Sequence, residues 1–368
     1  MIHLSRHKEE GMLHRIRSLA LAVLAAACVF PAPGLAQEME EIVVVANPII
    51  EGNQVDSFGA SSTVVTREQM DDLNAVDLGT ALRRTPGVTI SRYNPIGSFG
   101  GAEGGGIFIR GMGSSRPGGE IKTLINGIPM YMSVWNHPLL DLLSIDSADS
   151  IQVHKSPQPQ LFGNAFAVIN IDPRRMRSEG YQTELSLSGG SFETFSERAE
   201  HGGKIGAFDY YVGQSFRTSD GHREDSDGQL TNYFARAGME LGPNWDVSLF
   251  GLHTDNYALD PGVEGNESAT RNGKYETIAT MGIASLNHAY EHAEGSLKVF
   301  VNTGEGNWYD QLPPSKDLYN NFTFYGVRFN ETIRPWAGGE LTFGIDWDAI
   351  KGDIEDENAA GVEGDWDG

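Results

Sequence analysis

From Tyr181 onward, apolar and polar residues alternate with a period of two. Tyr181, Leu185 and Leu187 share a face with Thr183, and Gln182, Glu184, Ser186 and Ser188 take the other. That period belongs to a strand with two different surroundings. It recurs in Phe208, Tyr210, Val212 and Phe216, in Tyr233 to Leu241, in Trp245, Val247 and Leu249, and in Leu297, Val299 and Val301. Its cleanest instance sets Leu341, Phe343, Ile345 and Trp347 against Glu340, Thr342, Asp346 and Asp348. Thr277 to Ala289 and Tyr319 to Phe329 alternate only in part. The pattern predicts about nine strands, each near the roughly nine to eleven residues that a tilted membrane strand needs.

The connections alternate as well. Gly202 to Ala207, Gly242 to Asn244, Glu291 to Gly295 and Pro335 to Gly339 are short, whereas Ser219 to Gln229, Tyr257 to Gly273, Gly304 to Asp317 and the tail from Lys351 are long and acidic. Gly190 to Glu193 is the short exception at the long-loop end. Tight turns at one end and long loops at the other mark an outer-membrane barrel. A soluble β-sandwich would also alternate with one polar face, and the pattern alone leaves it open.

Upstream the periods mix. Thr66 to Gln69 spells a capping box for a short helix, and Leu78, Ala81 and Leu82 predict a second, stopped by Pro86-Gly87. Strands are expected over 62–65, 88–91, 107–110, 122–125, 150–154 and 167–171, with a Gly-rich stretch from Gly97 to Gly106. These make an α+β domain of about 130 residues.

The N-terminus is read as an export signal. His14, Arg15 and Arg17 precede an apolar run from Leu19 to Phe30, then Pro31, Pro33 and small residues suit cleavage after Ala36. Met12 is the expected start, and Cys28 raises lipidation as an alternative although Leu24 lies one residue too far upstream. The run is shorter than the about 20 residues of a membrane helix. An exported chain without such a helix can cross lipid only as a closed barrel.

Composition narrows the chemistry. Fifty acidic against 27 basic residues give a net charge of -23, which excludes a general nucleic-acid binder. One cysteine, Cys28, excludes a disulfide framework or a thiolate metal cluster. Nucleophile elbows, zinc-protease helices, phosphate loops and dinucleotide fingerprints are absent from the sequence, so neither catalysis nor a cofactor is expected. His222, Glu224, Asp225 and Asp227 have metal-ligand chemistry but no EF-hand spacing, and a solvated acidic loop is the expectation.

Glu41, Ile42, Val43, Val44, Val45 and Ala46, preceded by Glu40 and followed by Asn47-Pro48, form a short β-branched run suited to strand addition on another protein's sheet edge. By composition it could equally be the domain's own first strand. The segment resembles the TonB box of TonB-dependent outer-membrane receptors. Further blocks resemble the plug domain of the same family, in the family's order: 64–70, 77–88, Ile107 to Met112, Leu124 to Pro129, 151–155 and 162–171. The likeness departs at Asn126, where the family usually has Asp, at Ser156-Pro157 and at Phe166-Ala167.

The resemblance implies a signal peptide over 1–36, a TonB box and linker over 37–55, a plug over 56–178 and a partial barrel over 179–368. It implies no enzyme and no resident metal, but a receptor that takes up a metal chelate such as a siderophore, with TonB, the ligand and outer-membrane lipid as partners. Cobalamin and saccharides are further possible ligands. Arg110 and Gly111 are expected to anchor the plug by ion pairs to wall carboxylates. Tyr93, Asn94, Tyr131, Trp135, Asn136 and His137 are expected at the plug apex, gripping ligand. About nine strands against the roughly 22 of a plugged barrel imply an amino-terminal fragment. On that reading the chain ends inside a loop at 366–368 and leaves an edge that aggregates unless it is completed. The rival is a non-transporting soluble or surface binding protein built as a sandwich.

Overall fold

The computed structural model describes residues 52–55, 61–91, 106–114, 120–130, 142–259, 273–309, 317–356 and 362–367. The signal peptide, the box at 41–46 and the apex residues Tyr93, Asn94, Tyr131, Trp135, Asn136 and His137 lie outside them. Residues 49–368 form one compact unit.

Among the described residues the first half builds two sheets and three short helices. The six-stranded sheet runs β1 (Gly52–Val55), β2 (Ser61–Thr66), β8 (Ala148–His154), β9 (Ala167–Pro173), β6 (Ile121–Ile125) and β7 (Ile128–Pro129) in space, with β6 and β9 parallel. The small sheet joins β3 (Val88–Ser91), β4 (Gly106–Ile109) and β5 (Met112–Ser114). Helix α1 (Arg67–Asp72) starts where the capping box predicts: the Gln69 amide donates to Thr66 Oγ1 and the Thr66 amide to Gln69 Oε1. Helix α2 (Leu78–Leu82) is capped by Asp77 accepting from the Thr80 amide at 2.6 Å. Helix α3 spans Pro159–Phe162. Gly52–Val55, assigned above to the linker, is instead the sheet's edge strand. Here Val65, Leu78, Leu82, Ile109, Ile121 and Ile151 are buried together, as in any water-soluble core.

The second half is a ten-stranded antiparallel meander in sequence order: β10 (Gly180–Gly189), β11 (Phe195–Ile205), β12 (Phe208–Ser219), β13 (Gly228–Glu240), β14 (Trp245–Leu259), β15 (Lys274–Ala289), β16 (Ala293–Tyr309), β17 (Leu318–Trp336), β18 (Gly339–Asp356) and β19 (Val362–Asp367). Nine strands were expected. The tenth, β19, was taken for a loop tail because three of its six residues are acidic, yet Val362, Gly364 and Trp366 alternate with Glu363, Asp365 and Asp367. Turns at 206–207, 241–244, 290–292 and 337–338 close one end, and the longer connections fall at the other.

The alternating apolar residues are uncovered. Register aligns Ile205, Phe208, Met239, Val247, Leu286, Leu297, Phe329 and Ile345 in one row across eight strands. Leu249 is 60% exposed and Ile345 68%, while on the opposite face Phe324 and Asn232 are 0% exposed. A sandwich would bury that row under a second layer, so the soluble alternative is overturned. Contiguous bare oil of this extent fits lipid as the solvent. Polar groups on the same face satisfy one another: His201 bonds Thr183 and Tyr210, His253 bonds Thr280, and Thr303 bonds Thr323. At the short-turn end the Trp245 indole donates to the Tyr290 hydroxyl at 2.7 Å, an amphipathic pair suited to an interface.

The two strands that alternated only in part now have a cause. Ala279, Met281 and Ile283 of β15, and Phe322 and Phe324 of β17, face inward and join the buried cluster of the first domain. Both of their faces are therefore apolar, one against lipid and one against protein. Among the described residues no helix is long and apolar enough to cross a membrane.

Candidate functional site

The candidate site is the seam where the α+β domain meets the inner face of the wall. At its centre lies Asp146, 1% exposed and just before β8. Its carboxylate accepts from Ser144 of its own segment at 2.7 Å, from Ser215 of β12 at 2.6 Å and from the Asn232 amide of β13 at 2.9 Å, and it is paired with Arg217. Asn232 also donates to Ser144 Oγ and accepts from Thr254 of β14. Burial pushes the Asp146 carboxyl up, but the Arg217 guanidinium and the Ser215 and Ser144 hydroxyls outweigh it and hold it below the usual range. A buried ion pair without such extra bonds would be costly.

A second cluster follows β9. Arg174 is paired with Glu200 of β11, lies 3.5 Å from Glu184 of β10 and sits over the Tyr211 ring, whose hydroxyl donates to Glu200. Arg198 of β11 reaches back to Asp71 of α1 at 3.7 Å, and Arg67 of α1 reaches Glu184 at 3.8 Å. Next along the chain, Arg175 lies 3.5 Å from Asp209 of β12, which also pairs with Arg236.

The third contact is made from the wall. Lys298 of β16 donates to the Asn126 carbonyl at 2.6 Å and to Asn126 Oδ1 at 3.2 Å. Asn126 and Gly127 form the two-residue turn between β6 and β7, with φ of 52° and 76°. The left-handed backbone favours glycine at the second position, and a Cβ there would stand 3.2 Å from the Lys298 ammonium at the flexible end of its side chain. Behind the turn, the Gly127 amide donates to Asn170, Asn170 donates to Asp172, and Gln152 and Ser150 donate to the same carboxylate. Burial pushes the Asp172 carboxyl up, against those three hydrogen bonds and the Lys298 charge.

Arg110 and Gly111 turn between β4 and β5 with φ of 51° and 82°. Among the described residues the Arg110 guanidinium reaches the Lys155 carbonyl, 3.2 Å away inside the same domain, and no wall carboxylate. Among the described residues, wall pairs of this kind are made by Arg174, Arg175 and Arg67. Sequence reasoning missed these arginines, although Arg174-Arg175 is a basic doublet in an acidic chain, followed by strands whose inward positions carry Glu184, Glu200 and Asp209. His222, Glu224, Asp225 and Asp227 occupy the β12–β13 connection, and among the described residues no group of three or more metal-ligating side chains could hold an ion.

Fold and seam define a class: an α+β plug docked by buried charges to the inner face of a membrane wall. Residues 54–168 match the family model for the TonB-dependent Receptor Plug Domain. The vitamin B12 transporter BtuB of Photobacterium profundum is 23% identical over 350 residues, covering 90% of this chain and 54% of that one. Among solved structures, the ferric preacinetobactin receptor BauA of Acinetobacter baumannii has a TM-score of 0.66 at 12% identity, covering 84% of this chain and 49% of its own. The ferripyoverdine receptor of the outer membrane of Pseudomonas aeruginosa gives 0.61 at 17% identity, with 80% and 42% covered. Residues 54–168 thus match the plug domain of TonB-dependent receptors, and the chain as a whole shares the fold of about half of such a receptor. It spans about half the length of the relatives it matches. Those relatives are receptors and transporters, not enzymes.

Proposed function

We propose that the receptor containing this chain imports a scarce metal chelate across the outer membrane, driven by TonB. The observation that carries the reading is a plug held by paired, buried charges against a wall whose other face is bare oil: a stopper docked by side-chain contacts and tethered to the wall through residues 174–179. Residues 1–36 direct export, 37–51 present Glu41 to Ala46 to TonB, and the apex residues Tyr93, Asn94, Tyr131, Trp135, Asn136 and His137 meet the ligand. Arg110 and Gly111, at the turn between β4 and β5, anchor the plug against wall carboxylates of the full-length receptor. One relative carries vitamin B12 and two take ferric chelates, which favours a chelated metal as cargo.

The mechanism follows from strand order. TonB adds a strand to the box main chain to main chain, and tension passes along 47–51 to β1. β1 is the edge of the plug sheet, four residues paired to β2 alone, so it is the first element to be loaded. Displacing the plug from the seam opens a path along the polar inner face. The test is Val43→Pro, which removes a ladder donor. Cells making the full-length receptor should lose uptake of radiolabelled cyanocobalamin, or of radioiron hydroxamate and catecholate chelates, while surface binding of the same probe is unchanged. Uptake at the unsubstituted rate would overturn the assignment.

A further inference from the structure

We infer that the plug is hinged on β10–β13 and comes free first along β14–β17, with Lys298 as the latch on the freeing side. The two flanks of the seam are held differently. On β10–β13, among the described residues, the plug is tied by ion pairs: Asp146 to Arg217, Arg174 to Glu184 and Glu200, and Arg175 to Asp209. Those ties are buried and directional, so water entering there must separate matched charges.

The other flank is held by softer contacts. Lys298 bonds a neutral turn, and the Asn302 amide of β16 reaches the Met130 thioether, a weak acceptor, at 3.3 Å. The remainder is apolar packing by Phe250, Ile283, Phe300 and Phe324, which has no preferred direction and lets surfaces slide. Three polar atoms on this flank are buried without a partner: Thr277 Oγ1, Ser285 Oγ and Asn302 Oδ1. Water admitted here satisfies groups that the closed state leaves unsatisfied. On the charged flank Ser147 Oγ is likewise unpartnered, but Arg198 Nε, Glu200 Oε1 and Asp209 Oδ2, which lack a hydrogen bond, keep ion-pair partners at 3.3 and 3.5 Å. The latch also sits at the right place, because the Asn126-Gly127 turn carries β7, the free edge of the plug sheet.

The order of release is a property of the folded receptor and does not depend on transport, so it can be tested without ligand or TonB. Ser285 and Ser147 are reporters for the two flanks, since both are buried and neither Oγ has a partner that cysteine would disturb. The full-length receptor, purified in detergent with any other cysteine replaced by serine, is made with Ser285→Cys or Ser147→Cys and exposed to fluorescein maleimide in rising urea. Ser285→Cys should react at lower urea, roughly tenfold faster than Ser147→Cys at the concentration where plug labelling begins. Adding Lys298→Met should move the onset at Ser285→Cys further down and leave Ser147→Cys where it was. Coincident onsets, earlier reaction at Ser147→Cys, or equal shifts at both sites would overturn the hinge. If Ser285→Cys does not fold, Thr277→Cys reports on the same strand with the same expectation.

Discussion

The plug and the wall are inside-out versions of each other. Ile151 and Leu78 are buried in the plug with polar residues outside, whereas on the wall Leu249 and Ile345 face outward and Asn232, Asn302 and Thr254 are buried. The same side-chain chemistry therefore takes opposite positions within one compact unit. Burial by itself does not identify a core; the solvent on each face does. Where the two regions meet neither rule suffices, and along β10–β13 the seam is built from buried charges that must be matched within their clusters.

The largest expected effect breaks that matching. Arg217→Met leaves the Asp146 carboxylate buried beside only neutral donors, and removing one partner of such a pair costs about 3–5 kcal/mol. The urea midpoint of the plug, read by Ser147→Cys labelling, should fall accordingly. The wall should still form, shown by unchanged heat-modifiable mobility in gels. A plug midpoint unmoved by the substitution would mean the pair does not hold the plug.

A somewhat smaller effect separates the two solvents. Val299→Arg puts a cation in the middle of the bare face, where the cost is about 2–4 kcal/mol near the bilayer midplane. Refolding into lipid vesicles should be destabilised by that amount in a guanidinium titration, while Val299→Leu should change little. Unimpaired refolding of the Arg variant would mean that the face is not lipid-exposed.

Acid sharpens the comparison within the plug, because two of its carboxyls are displaced in opposite directions. Asp146 is held low, so its contribution is complete above its unfolded value near 3.8 and disappears as pH falls through the lower folded value. Asp172 is pushed up, so protonation through its raised value relieves a cost and favours the folded plug over the same descent. Plug midpoints measured down from neutral pH should therefore rise slightly before they fall. Asp172→Asn should remove the rise, and Asp146→Asn should make the later fall shallower. A monotonic loss with both carboxyls intact would contradict the opposed displacements.

Much of the fold was legible in the chain. Alternation located most wall strands because lipid and plug impose different chemistry on alternate side chains, and it faded in β15 and β17 where both faces are apolar. It was passed over in β19, where acidity imitated a loop. The capping box placed α1 because Thr66 and Gln69 act within one turn. The seam was less legible. Arg110 stood out from its motif, while Arg174, Asp146 and Lys298 lie in no local pattern: their partners are 26, 71 and 172 residues away. Pairings at such separations are fixed by how strands meet in space, and one sequence carries no trace of the meeting.

The smallest predicted effect concerns the departure that could be read beforehand, Asn126 in place of the family's usual Asp. The turn tolerates either residue, since Asn and Asp both enter the left-handed region more readily than other side chains. With Asn, Lys298 bonds two neutral oxygens; with Asp, one bond becomes charged on both sides, and such bonds run roughly 1 kcal/mol stronger. Against this, the new carboxylate approaches Asp172, which already shares the field of Lys298. The gain at direct contact should exceed the repulsion, which acts through Asn170 and Gly127. Asn126→Asp should therefore raise the urea onset at Ser285→Cys without moving Ser147→Cys, and slow uptake if release of that flank precedes transport. With Lys298→Met in the same chain the rise should vanish and become a small loss, because the carboxylate would then have only Asp172 to face.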